Sequence, residues 1–158
     1  MPNSAIARNL RSAVLKEDEA FYDNGYAIAR MAEPSSETMC HVAVRTDEDD
    51  EDYWLMRVTK GLHVADATEA RKSRDSDFVF PVGSTILCGH YYELHQASTK
   101  RNKLFYLDEG VTHTVFAHLI FHVGFELNKV KRGKTTLYHV GPQLNEELLG
   151  ALESVAAT

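Results

Sequence analysis

Between residues 84 and 140, apolar stretches of strand length follow one another with only turn residues between them. STILCGHYYELHQ, KLFYLD, VTHTVFAHLIFHVGFELNKV and TTLYHV are divided by ASTKRN, by Glu109-Gly110 and by KRGK. None of these dividers is long enough for a helical crossover, which parallel strands require. Neighbouring strands must therefore run antiparallel. Gly89 and Gly124 interrupt two of the runs, and a glycine inside a strand marks a bulge or a sharp bend. An antiparallel sheet bent in mid-strand curls on itself, so the expected fold is a small β-barrel.

Two further strands precede this region, MCHVAVR over 39–45 and YWLMRVTK over 53–60. Between them TDEDDED (46–52) holds six mutually repelling carboxylates and reads as a solvated loop. It lacks the spaced carboxylates, glycine and closing glutamate of a calcium loop. GLHVADATEARKSRDSD (61–77) reads as a long polar loop with a helical turn. Upstream, Ile6, Leu10, Val14 and Leu15 recur at helical spacing, and a second helical piece runs from Glu17 to Met31, with Asn24-Gly25 as a candidate break. Pro34-Ser35-Ser36 ends it. At the other end, QLNEELLGALESV (143–155) lines up Leu144, Leu148, Leu149 and Leu152 on one helical face. The expectation is a mainly β chain, α+β overall: a helical arm over 1–36, then a barrel domain over 37–158 closed by the helix.

A chain of 158 residues suits one domain with an extra segment, and buries enough surface to fold without disulfide or metal. No 18-residue apolar window exists, and MPNSAIARNLRSAVLKEDE lacks a secretory core. Cys40 and Cys88 stand far apart without a CxxC, which fits reduced thiols in an intracellular protein, nuclear or cytoplasmic. The net charge of −6 is uneven. Residues 1–52 hold five basic and twelve acidic side chains, whereas 98–134 hold seven basic and three acidic ones. Bulk charge excludes a general nucleic-acid binder, but the turns carrying Lys100, Arg101 and Lys103, and Lys131, Arg132 and Lys134, could meet a polyanion locally.

No nucleophile, phosphate loop or metal motif stands out. Cys88 lies in an apolar strand beside His90, a setting that keeps a thiol inert. The carboxylates of Glu93, Asp108, Glu109 and Glu126 form no recognisable pair. Eight histidines are present, of which His113, His118 and His122 fall within ten residues, the closest approach to a zinc-ligand set. Histidines on half-buried strand faces, bonded to backbone or water, are the simpler reading, and no cofactor is expected. The aromatic doublets are more suggestive. Tyr53-Trp54, Tyr91-Tyr92 and Phe105-Tyr106 each send one ring to either face of a strand. Outward rings on adjacent strands would form an open cage that attracts a cation.

Tyr53-Trp54-Leu55-x-Arg57-Val58, then Gly83-x5-Gly89-x-Tyr91-Tyr92, then Tyr106-Leu107 and a further apolar strand, in that order, resemble SH3-like barrels of the bromo-adjacent-homology and Tudor type over about residues 53–140. The resemblance implies a module of chromatin- or transposon-associated proteins that binds peptides or protein partners. The sequence thus leads to a non-enzymatic interaction module, with Trp54, Tyr91, Tyr92 and Tyr106 as its aromatic face. Its alternatives are a nucleic-acid-binding domain using the basic turns, and a metal-dependent enzyme built on His113, His118 and His122. The helical ends could also join copies of the chain into an oligomer.

Overall fold

The structure, a computed structural model, describes residues 19–34, 40–46, 51–71 and 80–157. Helix α1 spans Glu19–Ala29; β1 is Cys40–Val44, β2 Trp54–Val64, followed by a 3-10 turn at Glu69–Arg71. Strands β3 (Thr85–Leu94), β4 (Lys103–Leu107) and β5 (His113–Phe116) come next. A second 3-10 turn, Ala117–Leu119, joins β5 to β6 (Ile120–Val123). The hairpin of β7 (Asn128–Arg132) and β8 (Thr135–Val140) leads to helix α2, Pro142–Ala157. The first half of the expected N-terminal arm, most of the acidic loop, and Phe78-Val79 lie outside the described residues.

All pairings are antiparallel, in the order β6-β1-β2-β3-β4-β8-β7, with β5 added to β3. The sheet curls into a half-barrel with two helices against it and does not close. The antiparallel, α+β expectation holds in this coarser form. The long apolar run 111–130 is not one strand. It breaks into β5, a 3-10 turn and β6 before Gly124, whose φ of 80° ends the stretch, and β7 then starts the hairpin. No described helix is long and apolar enough to cross a membrane.

β3 organises the sheet. One side pairs with β2, while the other is shared between β5 over Ile86–Gly89 and β4 over Tyr92–Leu94. Gly89 sits at this fork, paired with both Val58 and His113. A Cβ there would lie 2.2 Å from the Arg57 carbonyl oxygen, so only glycine lets β2 and β3 approach this closely. The sequence leads one to expect the bulge at Gly89. It falls across from it, on β2, where Thr59 is the extra residue between the Val58–Gly89 and Lys60–Cys88 pairs. A second irregularity follows between Lys60 and His63. Gly25, in turn, does not break α1. A Cβ at that position would lie 2.1 Å from the His118 carbonyl oxygen, so the glycine lets the helix lie directly on the second 3-10 turn.

Alternation along the strands feeds two apolar cores. Val42, Val44, Trp54, Met56, Val58, Ile86 and Tyr91 face the inside of the curl, with Phe116 and Ile120. Ala43, Tyr53, Leu55, Tyr92, Phe105 and Val140 face the other way, where α2 covers them with Leu148 and Val155. The predicted leucine face of the C-terminal helix therefore docks within the chain. Leu148 is fully buried, and truncating a leucine in such a place costs about 2–5 kcal/mol.

Candidate functional site

The two-core arrangement decides the aromatic residues. Trp54, Tyr91 and Tyr92 are 4%, 1% and 2% exposed, against 44% for Tyr106. Trp54 and Tyr91 meet edge to face inside the curl, with centroids 5.7 Å apart, while Tyr92 packs on Tyr138 in the second core. Both members of the Tyr53-Trp54 and Tyr91-Tyr92 doublets are interior, because α2 and its surrounding loops cover the face that strand parity alone assigns to solvent; only in Phe105-Tyr106 does one ring stay outside. The expected aromatic face is thus reduced to Tyr106.

The basic residues divide as well. Lys103 is buried: its ammonium donates to Asp52 Oδ2 (2.9 Å) and Asn145 Oδ1 (3.2 Å), 4.4 Å above the Tyr53 ring. It is structural and not offered to a polyanion. Lys100 and Arg101 sit in the β3–β4 turn, near the Val140 end of β8, because Lys103 pairs with Val140. Lys131, Arg132 and Lys134 lie at the opposite end of β8, where Arg132 pairs with Thr135. The two turns do not form one basic track.

The histidines do not converge either. His113 begins β5 and its ring lies against Tyr91; His118 is buried in the second 3-10 turn beside Phe116; His122, on β6, bonds Glu147 of α2 at 2.9 Å. His90 is turned to the Val111 carbonyl, 2.9 Å away, and does not serve Cys88. His41 is buried on the second core, 2.7 Å from the Tyr92 hydroxyl. Burial holds its imidazole below the ordinary histidine pKa of 6.5; Arg57 lowers it further, against a backbone bond at Phe125 and the Glu126 carboxylate.

The structure instead assembles a group that the sequence kept apart. Among the described residues, His63, Glu69 and Cys88 are the one set of three metal-ligating side chains whose donor atoms all lie within 4.8 Å of one another. Each comes from a different element. His63 stands in the last turn of the pleat of β2, beyond the double irregularity; Glu69 opens the first 3-10 turn; Cys88 lies on β3. Glu69 is at the centre. Its Oε2 is 2.6 Å from His63 Nε2, 3.0 Å from Lys60 Nζ and 3.7 Å from Cys88 Sγ. The Cys88 sulfur is 4.0 Å from His63 Nε2 and 3.7 Å from Thr114 Oγ1.

Local structure fixes each partner. The Glu69 amide donates to Asp66 Oδ1 (2.8 Å) and the Asp66 amide to Glu69 Oε1 (3.4 Å), a reciprocal cap that aims the carboxylate. Thr114 donates to the Glu69 carbonyl at 3.1 Å, tying the turn to β5. His63 Nδ1 donates to the Gly61 carbonyl at 2.5 Å, which orients the ring with Nε2 toward the cluster. Burial raises the Glu69 carboxyl, but bonds from Lys60, His63 and the Asp66 amide outweigh it and bring it down to about 2. The same bond to Glu69 holds the Lys60 ammonium above the usual lysine range. Cys88 and Cys40 are both free thiols, and burial together with the Glu33 carboxylate pushes Cys40 up.

The sequence held one usable signal for this cluster, Asp66-x-x-Glu69, whose spacing is that of a capping box. Nothing in it linked His63 to Cys88, 25 residues away on the facing strand. No family model, curated protein or solved structure matches this chain.

Proposed function

We propose that this protein is a partner-binding module whose recognition surface is the basic β7–β8 hairpin, and that its partner is an acidic peptide segment in extended conformation. The observation that carries this reading is the position of β7. It ends the strand path β6-β1-β2-β3-β4-β8-β7, bonded among the described strands to β8 alone, and Lys129, Lys131 and Arg132 lie along it with Lys134 in the turn. All four are exposed. A margin strand offers unpaired amide and carbonyl groups to an added strand, and rows of lysine choose a partner of opposite sign. The same charges discourage pairing between copies of the chain.

A peptide fits better than a nucleic acid. Lys103 is already paired, and the basic turns stand at opposite ends of β8, so no continuous basic track follows a phosphate backbone. The path β1-β2-β3-β5, a 3-10 turn, then β6 back against β1 is what supports the SH3-like likeness, and with it a binding module over an enzyme.

The test is fluorescence anisotropy with a labelled acidic peptide, a neutral scramble and a DNA duplex of equal charge. The expected result is preferential peptide binding that weakens with salt and falls at least tenfold in Lys129→Glu/Lys131→Glu, but is unchanged in Lys100→Glu/Arg101→Glu. Equal loss in both variants, or tighter binding to the duplex, overturns the reading.

A further inference from the structure

We infer that His63, Glu69 and Cys88 form a binding site for a thiophilic divalent cation of the zinc class. The inference is independent of the basic hairpin and rests on donor chemistry, spacing and support. An imidazole, a carboxylate and a thiol are the three side-chain types that zinc takes. In a tetrahedral site their donor atoms stand about 3.3–3.6 Å apart. Here Sγ is 4.0 Å from Nε2 and 3.7 Å from Oε2, so the sulfur must draw in by a few tenths of an ångström. Nε2 and Oε2, 2.6 Å apart across a hydrogen bond, must part by about 0.7 Å as a metal replaces the proton between them, the largest adjustment the site requires.

The surroundings are those of a ligand set. A metal-ligating histidine donates its other ring N–H to a carbonyl or carboxylate, which leaves the ligating nitrogen with its lone pair free; His63 Nδ1 faces the Gly61 carbonyl in this way. Glu69 is aimed by its cap with Asp66, and Thr114 braces both the Glu69 carbonyl and the Cys88 sulfur. Cys88 and Glu69 are buried, so the ligand atoms are shielded from competing water, while the Lys60 side chain is 57% exposed and marks the open side. Three protein ligands leave a fourth position for a water or a small anion.

Binding displaces two protons to solvent, the thiol's and the Nε2 proton held between His63 and Glu69, and leaves a neutral imidazole with thiolate and carboxylate to neutralise the two positive charges. Among the described residues, Lys60 then opposes the metal. Its ammonium competes with the metal for Glu69 Oε2, and its flexible stem lets it swing out into water.

The probe is Co²⁺ added to the reduced full-length protein, followed by absorption, with Zn²⁺ as competitor. The expected result is one equivalent of cobalt giving thiolate-to-metal charge-transfer and tetrahedral ligand-field bands, which zinc abolishes. Cys88→Ser removes the charge-transfer band, and Cys40→Ser keeps it. If Cys88→Ser does not fold, His63→Gln, at a partly exposed position, reads the same site and weakens cobalt binding at least tenfold. Lys60→Met tightens binding several-fold, an effect that a purely structural ion pair would not produce. The inference is overturned if cobalt gives no charge-transfer band, if Cys40→Ser alone removes it, or if Lys60→Met weakens binding.

Discussion

Gly89→Ala is the most demanding single test of the architecture. The added methyl would lie 2.2 Å from the Arg57 carbonyl oxygen, 2.8 Å from Met56 Cγ and 3.0 Å from the Arg57 carbonyl carbon. Two of those three atoms are backbone, so no side-chain rotation relieves the clash. A carbon–oxygen contact relaxes only beyond about 3 Å, which forces β2 and β3 apart by nearly an ångström. β2 has little room to yield, since its other side is paired with β1 through Arg57–His41. β3 is held likewise by β5 at Gly89–His113.

Overpacking in such a place costs about 3 kcal/mol, the upper part of its usual range. For a domain of this size that corresponds to a fall in Tm of about 6–12 °C. In urea the midpoint drops by about 1.5 M if the slope is about 2 kcal/mol/M. Gly150→Ala is the control. It adds the same methyl inside α2 with nothing within 4 Å, so helix propensity alone acts and stability rises by about 0.5–1 kcal/mol. Circular dichroism melts and urea titrations of both variants measure the difference. A Gly89→Ala midpoint within about 0.3 M of the parent would show that β2 and β3 do not approach as described, and would sink the forked sheet with it.

Two other outcomes follow from buried polar groups. Asn145→Ala leaves the buried Tyr53 hydroxyl without its 2.7 Å acceptor and removes one partner of Lys103, so urea unfolding should show a loss of about 1–3 kcal/mol, partly recovered by adding Tyr53→Phe. His41 is kept neutral by burial in the folded state, whereas the unfolded chain takes up its proton near the ordinary value of 6.5. Stability is therefore full above that pH and declines as pH falls through it, and His41→Asn should flatten the stability profile between about pH 6.5 and 5; an unchanged slope would refute the assignment.

The antiparallel curl, the β7–β8 hairpin and the C-terminal helix could be read from the sequence because each rests on local signals. Turn residues divide the strands, Gly133 takes a φ of 64° at the hairpin tip, and the leucines of α2 share one face. The fate of the aromatic doublets depended on something non-local. Alternation correctly separates Tyr91 from Tyr92 and Tyr53 from Trp54, since each pair does point to opposite faces. What alternation does not give is which faces are wet. α2 returns from the far end of the chain to cover one of them, so a ring assigned to solvent by parity ends inside a second core.

The His63–Glu69–Cys88 group escaped for a related reason. Residues 61–64 read as part of a loop because they open the polar stretch 61–77, yet β2 continues through them to Val64. It continues only because Thr59 is accommodated as an extra residue opposite a glycine that has no side chain to resist it. That irregularity changes which face of β2 the following residues present. A strict register from Val58–Gly89 would pair Thr59 with Cys88; the observed register pairs Lys60 with Cys88 and His63 with Ile86. The two shifts bring Lys60 and His63 to the same carboxylate as the Cys88 thiol. Chemistry at this site is therefore a consequence of backbone geometry at Gly89. A variant that removed the bulge while preserving the fold would separate the imidazole from the thiol and abolish cobalt binding without touching any ligand.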